Sequence, residues 1–579
     1  MNNSDDDAPD RFAIAAQLRE LSAFLKLKGE SNSFRAKAYD SAARAIEGVG
    51  EEISELISSG RLTDVRGIGN SIAAVITEIH ATGKSKALEQ LKAEYPPGIL
   101  ELAEIAGLSV KKVEALHEAL GISTIDQLKE AIKSGSIKTV KGFSDKSAKN
   151  IAEAIETSEN RAHQILLVDA LEIGETLVDY LLSDRNIKEA ALCGAVSRWQ
   201  EAVDSVDLVA ASGDFENSLD FFAKFPTIID NVIRHDSHLS ARLSGSQVAV
   251  NLYLCKPADY VFVLHRCTGT ENYNNGLKMV AKSAGIKFGE TAVEVNDKAC
   301  HLKSDHDIYH RLGLPYIPVE LREDMQVITD AIAGTTYDDL IEIGDIRGMT
   351  HCHSTFSDGV ASVEDMASAV KKMNMEYMTL TDHSPAAHYA NGVEPDRLYE
   401  QWEEIARVQK AVGIPVLRGT ESDILADGSL DYEDGILEQL DVVIASIHSR
   451  MKMDEDQMTT RLVNCMKQKR FKIWGHALGR LVLRRDPVAC RMLEVLDVAA
   501  QSKVSIEVNG DPHRLDMEPK WLREARKRKL RFVISTDAHS TNNLHNLKFG
   551  IHLARRAAIR KDEVLNTFSV EDFKRAVKP

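Results

Sequence analysis

Thr350-His351-Cys352-His353-Ser354-Thr355-Phe356-Ser357-Asp358-Gly359 is the stretch on which the reading of this chain turns. Two histidines separated by one residue, with an aspartate five positions on that can swing back beside them, make a metal-ligand arrangement. Downstream the same grammar recurs: a short apolar, β-branched run ends in a metal-competent side chain, and a helical stretch follows. The runs are 377–383, 416–421, 442–448, 471–476, 504–509 and 532–539. With the opening strand this makes seven β-then-α units, which predicts parallel strands closed into a (βα)7 barrel. Functional groups of such barrels lie on the loops leaving the C-terminal strand ends. His351, His353, Asp358, His383, Glu421, His448, His476, Asp537 and His539 all fall there. Imidazoles and carboxylates crowded at one rim repel or desolvate one another unless cations neutralise them, so their density argues for more than one metal ion.

These nine residues and the repeat that carries them resemble the PHP (polymerase and histidinol phosphatase) domain over about residues 340–579. The resemblance implies a metal-dependent phosphoesterase with the nine residues as ligands of up to three manganese or zinc ions.

A chain of 579 residues is too long for one core and predicts several domains. The hydrophobic fraction of 44% is ordinary, and no run approaches the roughly 20 apolar residues of a membrane span, which excludes the membrane class. Met1-Asn2-Asn3-Ser4-Asp5-Asp6-Asp7 lacks the basic start and apolar centre of a secretory signal. Seven scattered cysteines without a C-x-x-C pair fit reduced thiols, so the expected location is cytoplasmic. A net charge of −17 excludes a passive nucleic-acid coat; a DNA-acting protein with this balance must concentrate its Lys and Arg locally.

Residues 11 to 90 read as helices, with Phe12, Leu18, Leu21, Phe24 and Leu25 at helical spacing. Val65-Arg66-Gly67-Ile68-Gly69-Asn70-Ser71-Ile72 places a G-x-G between two helical stretches. Such a turn exposes backbone N–H groups at a helix N-terminus, where they bind a phosphate oxygen without reading a base. The shape returns at 105–113 around Gly107 and at 140–148 around Gly142, with Ser109 and Ser144 in place of the second glycine. The recurrence resembles tandem helix-hairpin-helix motifs, and the resemblance implies Gly67, Gly69, Gly107, Gly142 and Lys146 as contacts to the backbone of DNA, at ends or gaps. Lys26-Leu27-Lys28-Gly29-Glu30-Ser31-Asn32-Ser33-Phe34-Arg35-Ala36-Lys37-Ala38-Tyr39 is similar to the opening of the N-terminal domain of family X DNA polymerases. Some members carry a Schiff-base lysine after the first hairpin; Val75 stands at that position, so lyase activity is not expected.

Residues 162 to 320 then correspond to a palm and thumb, with strands at 190–193, 206–211 and 248–254 and a thumb ending near 312–322. The whole chain therefore resembles the bacterial type of family X polymerase with a C-terminal PHP domain. The family places Gly-Ser before an arginine pair, then two aspartates one residue apart and a third on a later strand. This chain has Gly194-Ala195, then Ser205 and Asp207, then Asn251. Asp204 is one residue early, and a one-residue slip on a strand reverses the face.

The expected organisation is multidomain: a helical DNA-binding domain (1–90), a helix-hairpin-helix region (91–160), a palm-like nucleotidyltransferase (161–235), a thumb-like region (236–339) and the PHP barrel (340–579). The expected function is DNA repair, with metal-dependent 3'-5' exonuclease as the working activity and polymerisation weak or lost. Asp207 is the palm's remaining catalytic candidate, with magnesium as its cofactor if active. Arg418, Arg450, Arg480 and Arg514 lie beside the metal-bearing strand ends, and Arg480, four residues after His476, is the first choice for a phosphate contact. The basic run Lys520, Arg523, Arg526, Lys527, Arg528, Lys529, Arg531 reads as a solvated helix face. The alternatives are a gap-filling polymerase using Asp204 and Asp207, a small-molecule phosphatase, and a non-catalytic DNA-end scaffold.

Overall fold

The computed structural model describes the chain apart from residues 1–10, 29–32, 49–52, 66–67, 97, 104, 106–107, 163, 244–247 and 297. Two compact units form, 1–162 and 163–579. No described helix is long and apolar enough to cross a membrane.

The first unit is helical. Ile14, Leu18, Leu21 and Leu25 of Arg11–Leu27 and Ala36, Tyr39, Ala43 and Ile46 of Ser33–Gly48 recur every three or four residues, and all are buried in one shared core. Three later hairpins share one closing backbone hydrogen bond. The N–H of Ile68 donates to Val65 O (3.0 Å), that of Leu108 to Ile105 O (3.0 Å) and that of Phe143 to Val140 O (3.2 Å). In each, the buried apolar residue tucks the turn onto the core and a helix starts just after it: α1 (Asn70–Thr82), α2 (Val110–Leu120) and α3 (Asp145–Ala162). Gly69 and Ser109 stand at the N-caps of α1 and α2 with extended backbone, φ −90° and −88°, and no side chain caps either helix. The leading N–H groups are thereby left facing outward.

The second unit opens with a five-stranded sheet. Its strands are β1 (Ile187–Cys193), β2 (Ser205–Ser212), β3 (Ile228–His235), β4 (His238–Leu243) and β5 (Ala249–Cys255), in the order β1-β2-β5-β4-β3. Only β2 and β5 pair in parallel. The sheet draws strands from both sides of residue 235, so β4 and β5 belong with the strands before them rather than with the helices that follow. Those helices gather a separate small core of Tyr273, Leu277, Ile308, Tyr309 and Ile317.

The barrel is built from seven parallel strands in sequential order: β6 (Gly348–Cys352), β7 (Tyr377–Leu380), β8 (Val416–Asp423), β9 (Val442–Ser446), β10 (Ile473–Trp474), β11 (Ser505–Asn509) and β12 (Phe532–Ser535). Strands covered on both faces read as continuous apolar runs, and every residue of β6, β7, β9, β10, β11 and β12 is buried. The last strand returns to the first: His353 N–H donates to Ala538 O (2.9 Å) and Ala538 N–H to His351 O (3.1 Å). The run at 471–476 makes a strand of only two residues, because the backbone leaves the extended region before His476, whose φ is 21°.

Candidate metal centre

All nine metal-competent groups predicted at the strand ends converge on the carboxyl rim of the barrel. Their hub is Glu421, fully buried on β8. Its Oε2 lies 3.0 Å from His383 Nδ1, 3.4 Å from His351 Nε2 and 3.6 Å from His353 Nε2. Its Oε1 lies 2.7 Å from His476 Nε2 and 3.2 Å from His448 Nε2. Asp537 Oδ1 faces the two leading imidazoles, 3.6 Å from His351 Nε2 and 3.3 Å from His353 Nε2. At the outer edge Asp358 stands 3.3 Å from His539, 3.6 Å from His383 and 3.7 Å from His353. Three groups of donor atoms lie within 4.8 Å of one another: His351, His353, Glu421 and Asp537; His353, Asp358, His383 and His539; His383, Glu421 and His448.

Backbone geometry at the strand ends aims these groups inward. The register of β6 against β7 slips between Met349 and Cys352, and His351 sits at φ 57°. Asp537 follows β12 at φ 50°. Left-handed backbone at non-glycine residues is costly and is retained where the surroundings fix it, commonly at functional sites.

Two carboxylates outside the predicted set hold the histidines from behind. Glu507 of β11 bonds His351 Nδ1 and accepts the His476 N–H at 2.5 Å. Asp423, two residues beyond Glu421, bonds His448 Nδ1 at 2.5 Å. Each leaves the opposite Nε2 turned to the cluster, the arrangement that fixes tautomer and ring orientation in metal sites. Asp382, next to His383, accepts from Ser354 N (2.8 Å), Ser354 Oγ (2.7 Å), Ser357 Oγ (2.5 Å) and Gln401 Nε2 (2.6 Å), and so pins the loop that carries Asp358.

The electrostatics follow from this crowding. Burial on its own would lower the His351 pKa, but Glu507, Asp537 and Glu421 raise it well above the ordinary value. Partial burial would lower the His448 and His539 pKa values, but Glu421 and Asp358 respectively push them up to about 9. His353, buried and facing the imidazoles of His539 and His383, is pushed down to about 3. Burial opposes ionisation of Glu421 and Asp537, yet the surrounding histidines hold both carboxyls well below the usual range. Among the described residues, the buried atoms of this set without a hydrogen-bond partner are His351 Nε2, both ring nitrogens of His353, His383 Nδ1, His476 Nδ1 and Glu421 Oε2. Buried polar atoms are otherwise satisfied. Orphaned imidazole nitrogens turned to an orphaned carboxylate oxygen are a donor set that suits divalent cations.

Of the four arginines near the rim, Arg480 was expected to face phosphate, and it does not. Its Nε donates to Arg514 O (3.0 Å), its Nη2 to Leu515 O and to Glu201 Oε1 (3.1 Å), and its Nη1 lies 3.2 Å from Glu518. Every nitrogen is engaged by protein acceptors. The guanidinium that faces the cluster is that of Arg514, whose Nε is 3.2 Å from Asp537 Oδ2 and whose buried Nη1 has no partner among the described residues. The basic run on and after Pro519–Lys527 is laced with ion pairs: Lys520 with Glu518, Arg526 with Glu563, Lys527 with Glu524 and Arg528 with Asp497.

In the palm, Ser205, Asp207 and Asn251 share one face. Asp207 Oδ1 accepts from Ser205 Oγ (2.8 Å) and Asn251 Nδ2 (2.7 Å), and Asn251 Oδ1 accepts from Ser240 Oγ (2.5 Å). Gly194, at φ 63°, lets the backbone pass against the Asp207 carboxylate, where a side chain would collide. Asp204 lies before β2, exposed. Among the described residues, no candidate ion-holding group falls in the palm. In the first unit Gly69 and Gly142 lie at hairpin turns and Lys146 is exposed on α3, whereas Gly67 and Gly107 lie outside the described residues.

Comparison with known proteins accounts for most of these parts. Residues 9–85 match the family described as helix-hairpin-helix domain and 99–157 the SAM-like helix-hairpin-helix tandem. Residues 263–323 match the DNA polymerase beta thumb, and 350–510 the PHP domain. The "DNA polymerase/3'-5' exonuclease PolX" of Bacillus subtilis (strain 168) is 32% identical over 572 residues, covering 98% of this chain and 99% of that protein. A "Probable phosphatase" of Thermoanaerobacter sp. (strain X514) is 28% identical over 236 residues, 38% of this chain and 89% of that protein. Another, of Shewanella oneidensis, is 25% identical over 234 residues, 38% of this chain and 86% of that protein. With hairpins, thumb and PHP barrel in the same order and a PolX relative matched end to end, the chain belongs to the bacterial family X DNA polymerases that carry a C-terminal PHP domain.

Proposed function

We propose that this chain is a DNA-repair enzyme whose working chemistry is metal-dependent phosphodiester hydrolysis at the barrel rim, removing nucleotides from a 3' end. The observation that carries the reading is Glu421, one buried carboxylate within 3.6 Å of five imidazoles. In this reading His351, His353, Glu421 and Asp537 hold one ion, Asp358, His383 and His539 a second, and Glu421, His448 and His476 a third, each manganese or zinc. Bound there, the cations would lower the pKa of a water molecule and offset the charge of the phosphate.

The chain's own residues supply the rest. Glu507 and Asp423 keep His351 and His448 in the tautomer that presents Nε2 to the cluster. Arg514, steadied by Asp537, offers Nη1 to a phosphoryl oxygen. The hairpin N–H groups before α1, α2 and α3, with Lys146, hold the DNA backbone without regard to sequence. We assign 1–90 and 91–160 to that holding, 340–579 to hydrolysis, and 161–339 to a palm and thumb whose sheet runs through Cys255. Seven unpaired cysteines support a reducing, cytoplasmic setting.

Primer extension by this palm is weak or absent in the same reading. Nucleotidyl transfer uses two magnesium ions held by carboxylates, and Asp207 is flanked by a hydroxyl and an amide, which bind magnesium poorly by comparison. The phosphatase alternative draws on relatives that match only the barrel, 38% of this chain, and leaves the hairpins without a use.

The test uses 5'-labelled single-strand and duplex DNA with manganese or zinc, with and without nucleoside triphosphates. Replacing His351 and His353 together by Ala is expected to abolish shortening and lower bound metal while DNA binding persists; full nuclease activity in that protein overturns the assignment. In the same background, robust extension that disappears on Asp207→Ala overturns the reading of the palm.

A further inference from the structure

The metal cluster is closed on most sides. The side chains of His351, His353 and Glu421 are fully buried, whereas Asp358 and His539 are 33% and 34% exposed. A substrate therefore meets the cluster from the Asp358–His539 edge. Two apolar side chains stand in solvent beside that edge: Tyr389 is 67% exposed and Val360 76%. Val360 is anchored by its N–H to His539 O at 2.8 Å. The Tyr389 ring centroid lies 6.0 Å from that of His383 and 6.1 Å from that of His448, inclined at 61° and 63°.

The turn that presents Tyr389 is held firmly. Val393 N–H donates to His383 O (2.8 Å) and Gly392 N–H to Ala387 O (3.2 Å), so the turn is tied to the ligand-bearing segment itself. Asn391 Nδ2 reaches Phe356 O (3.3 Å) and Ser357 O (3.4 Å), and the Arg397 guanidinium also binds Phe356 O, which joins the turn to the loop of Asp358 and Val360. A large aromatic ring left in water on a fixed turn gains little for folding. Every nucleobase has a flat face that stacks on such a ring, and this interaction tolerates any sequence.

We propose that Tyr389 is the stacking platform for the base of the 3'-terminal nucleotide. The platform rests on the phosphodiesterase reading above. A nucleotide carries its base one sugar away from the phosphate, which matches a ring set beside, rather than within, the ligand cluster. Stacking uses the flat face that every base shares, so the site is indifferent to which base arrives.

The full chain loaded with manganese is assayed on two chromogenic diesters, the p-nitrophenyl ester of thymidine 5'-monophosphate and methyl p-nitrophenyl phosphate. Only the first has a base in the position of the terminal nucleotide. The ratio of kcat/KM, thymidine ester over methyl ester, is expected to fall about tenfold in Tyr389→Ala, mainly through KM. Tyr389→Phe, which keeps the ring, is expected to restore the wild-type ratio. An unchanged ratio in Tyr389→Ala, or a Tyr389→Phe protein as impaired as the Ala variant, overturns the platform. Failure of the wild-type protein to hydrolyse either ester overturns the phosphodiesterase reading, and the platform with it.

Discussion

Glu201 of the palm region accepts hydrogen bonds from two arginines of the barrel: Arg480 reaches Oε1 at 3.1 Å and Arg556 reaches Oε2 at 2.6 Å. Arg556 also contacts Glu323 at 3.0 Å. Because Arg480 simultaneously holds the carbonyls of Arg514 and Leu515, the palm is joined through two side chains to the loop that carries the guanidinium facing the metal centre.

Removing one partner of such a buried pair leaves uncompensated charge behind. Glu201→Ala is expected to lower the unfolding free energy by about 3 kcal/mol, measured by urea titration. It is also expected to reduce nuclease kcat while bound metal stays at the wild-type level, since the carboxylate lies away from the ligands. A variant that retains both full stability and full kcat would show the contact to be incidental.

Acid should open the same junction. Burial works against ionisation of Glu201 and Glu320, but Arg556 and Arg480 for the first, and His552 and Arg555 for the second, hold both carboxyls at about 2 against an ordinary 4.5. A carboxyl depressed this far contributes about 3 kcal/mol. That contribution is complete above the unfolded-state value and is lost as pH falls from roughly 4.5 towards 2. Trp199 stacks on His552 at 3.6 Å, beside this junction, and so reports on it. Its emission, isolated by comparison with Trp199→Phe, is expected to change within that window; a constant signal down to pH 2.5 would contradict the linkage.

Glu507→Gln tests the support behind the ligands. The amide keeps the shape and loses the charge that orients His351, so metal affinity is expected to drop by roughly 10- to 100-fold, read by competition with a chelator. Unaltered affinity would remove Glu507 from the site.

The convergence of the nine residues was legible because parallel strands deliver their last side chains to a common rim, so groups scattered over about 190 positions needed only a fold to bring them together. Glu507 was written in the same code but sits inside Ser505-Ile506-Glu507-Val508-Asn509, a run that reads as a strand and draws attention to its end. Alternation puts Ser505, Glu507 and Asn509 on one face, and a carboxylate on the inward face of a buried strand is the signal that finds it. Asp423, two positions after Glu421, follows the same rule. The engagement of Arg480 had no local signature, because its partner Glu201 lies 279 positions away. The hairpins were recognised from their spacing, and the closing bond that all three share came from the backbone.

At the first hairpin the structure sharpens the test. A side chain at Gly69 would meet nothing within 4 Å, and the backbone there is ordinary extended chain. Gly69→Leu is therefore expected to leave thermal stability within about 0.5 kcal/mol and to weaken DNA binding about equally for all sequences, by obstructing phosphate. Binding measured on several unrelated duplexes decides it; a loss confined to one sequence would argue for base contacts instead.

The hydrogen bonds around Asp207 have a consequence for the palm as a folded object. Carboxylates gathered to hold magnesium repel one another whenever the ions are absent, so a polymerising palm is under tension in its resting state. Here a serine and an asparagine donate to the single carboxylate and a second serine satisfies the asparagine, so the pocket is at rest without any ion. A network satisfied in this way stiffens the sheet, and Glu201 carries that stiffness through Arg480 to the loop of Arg514.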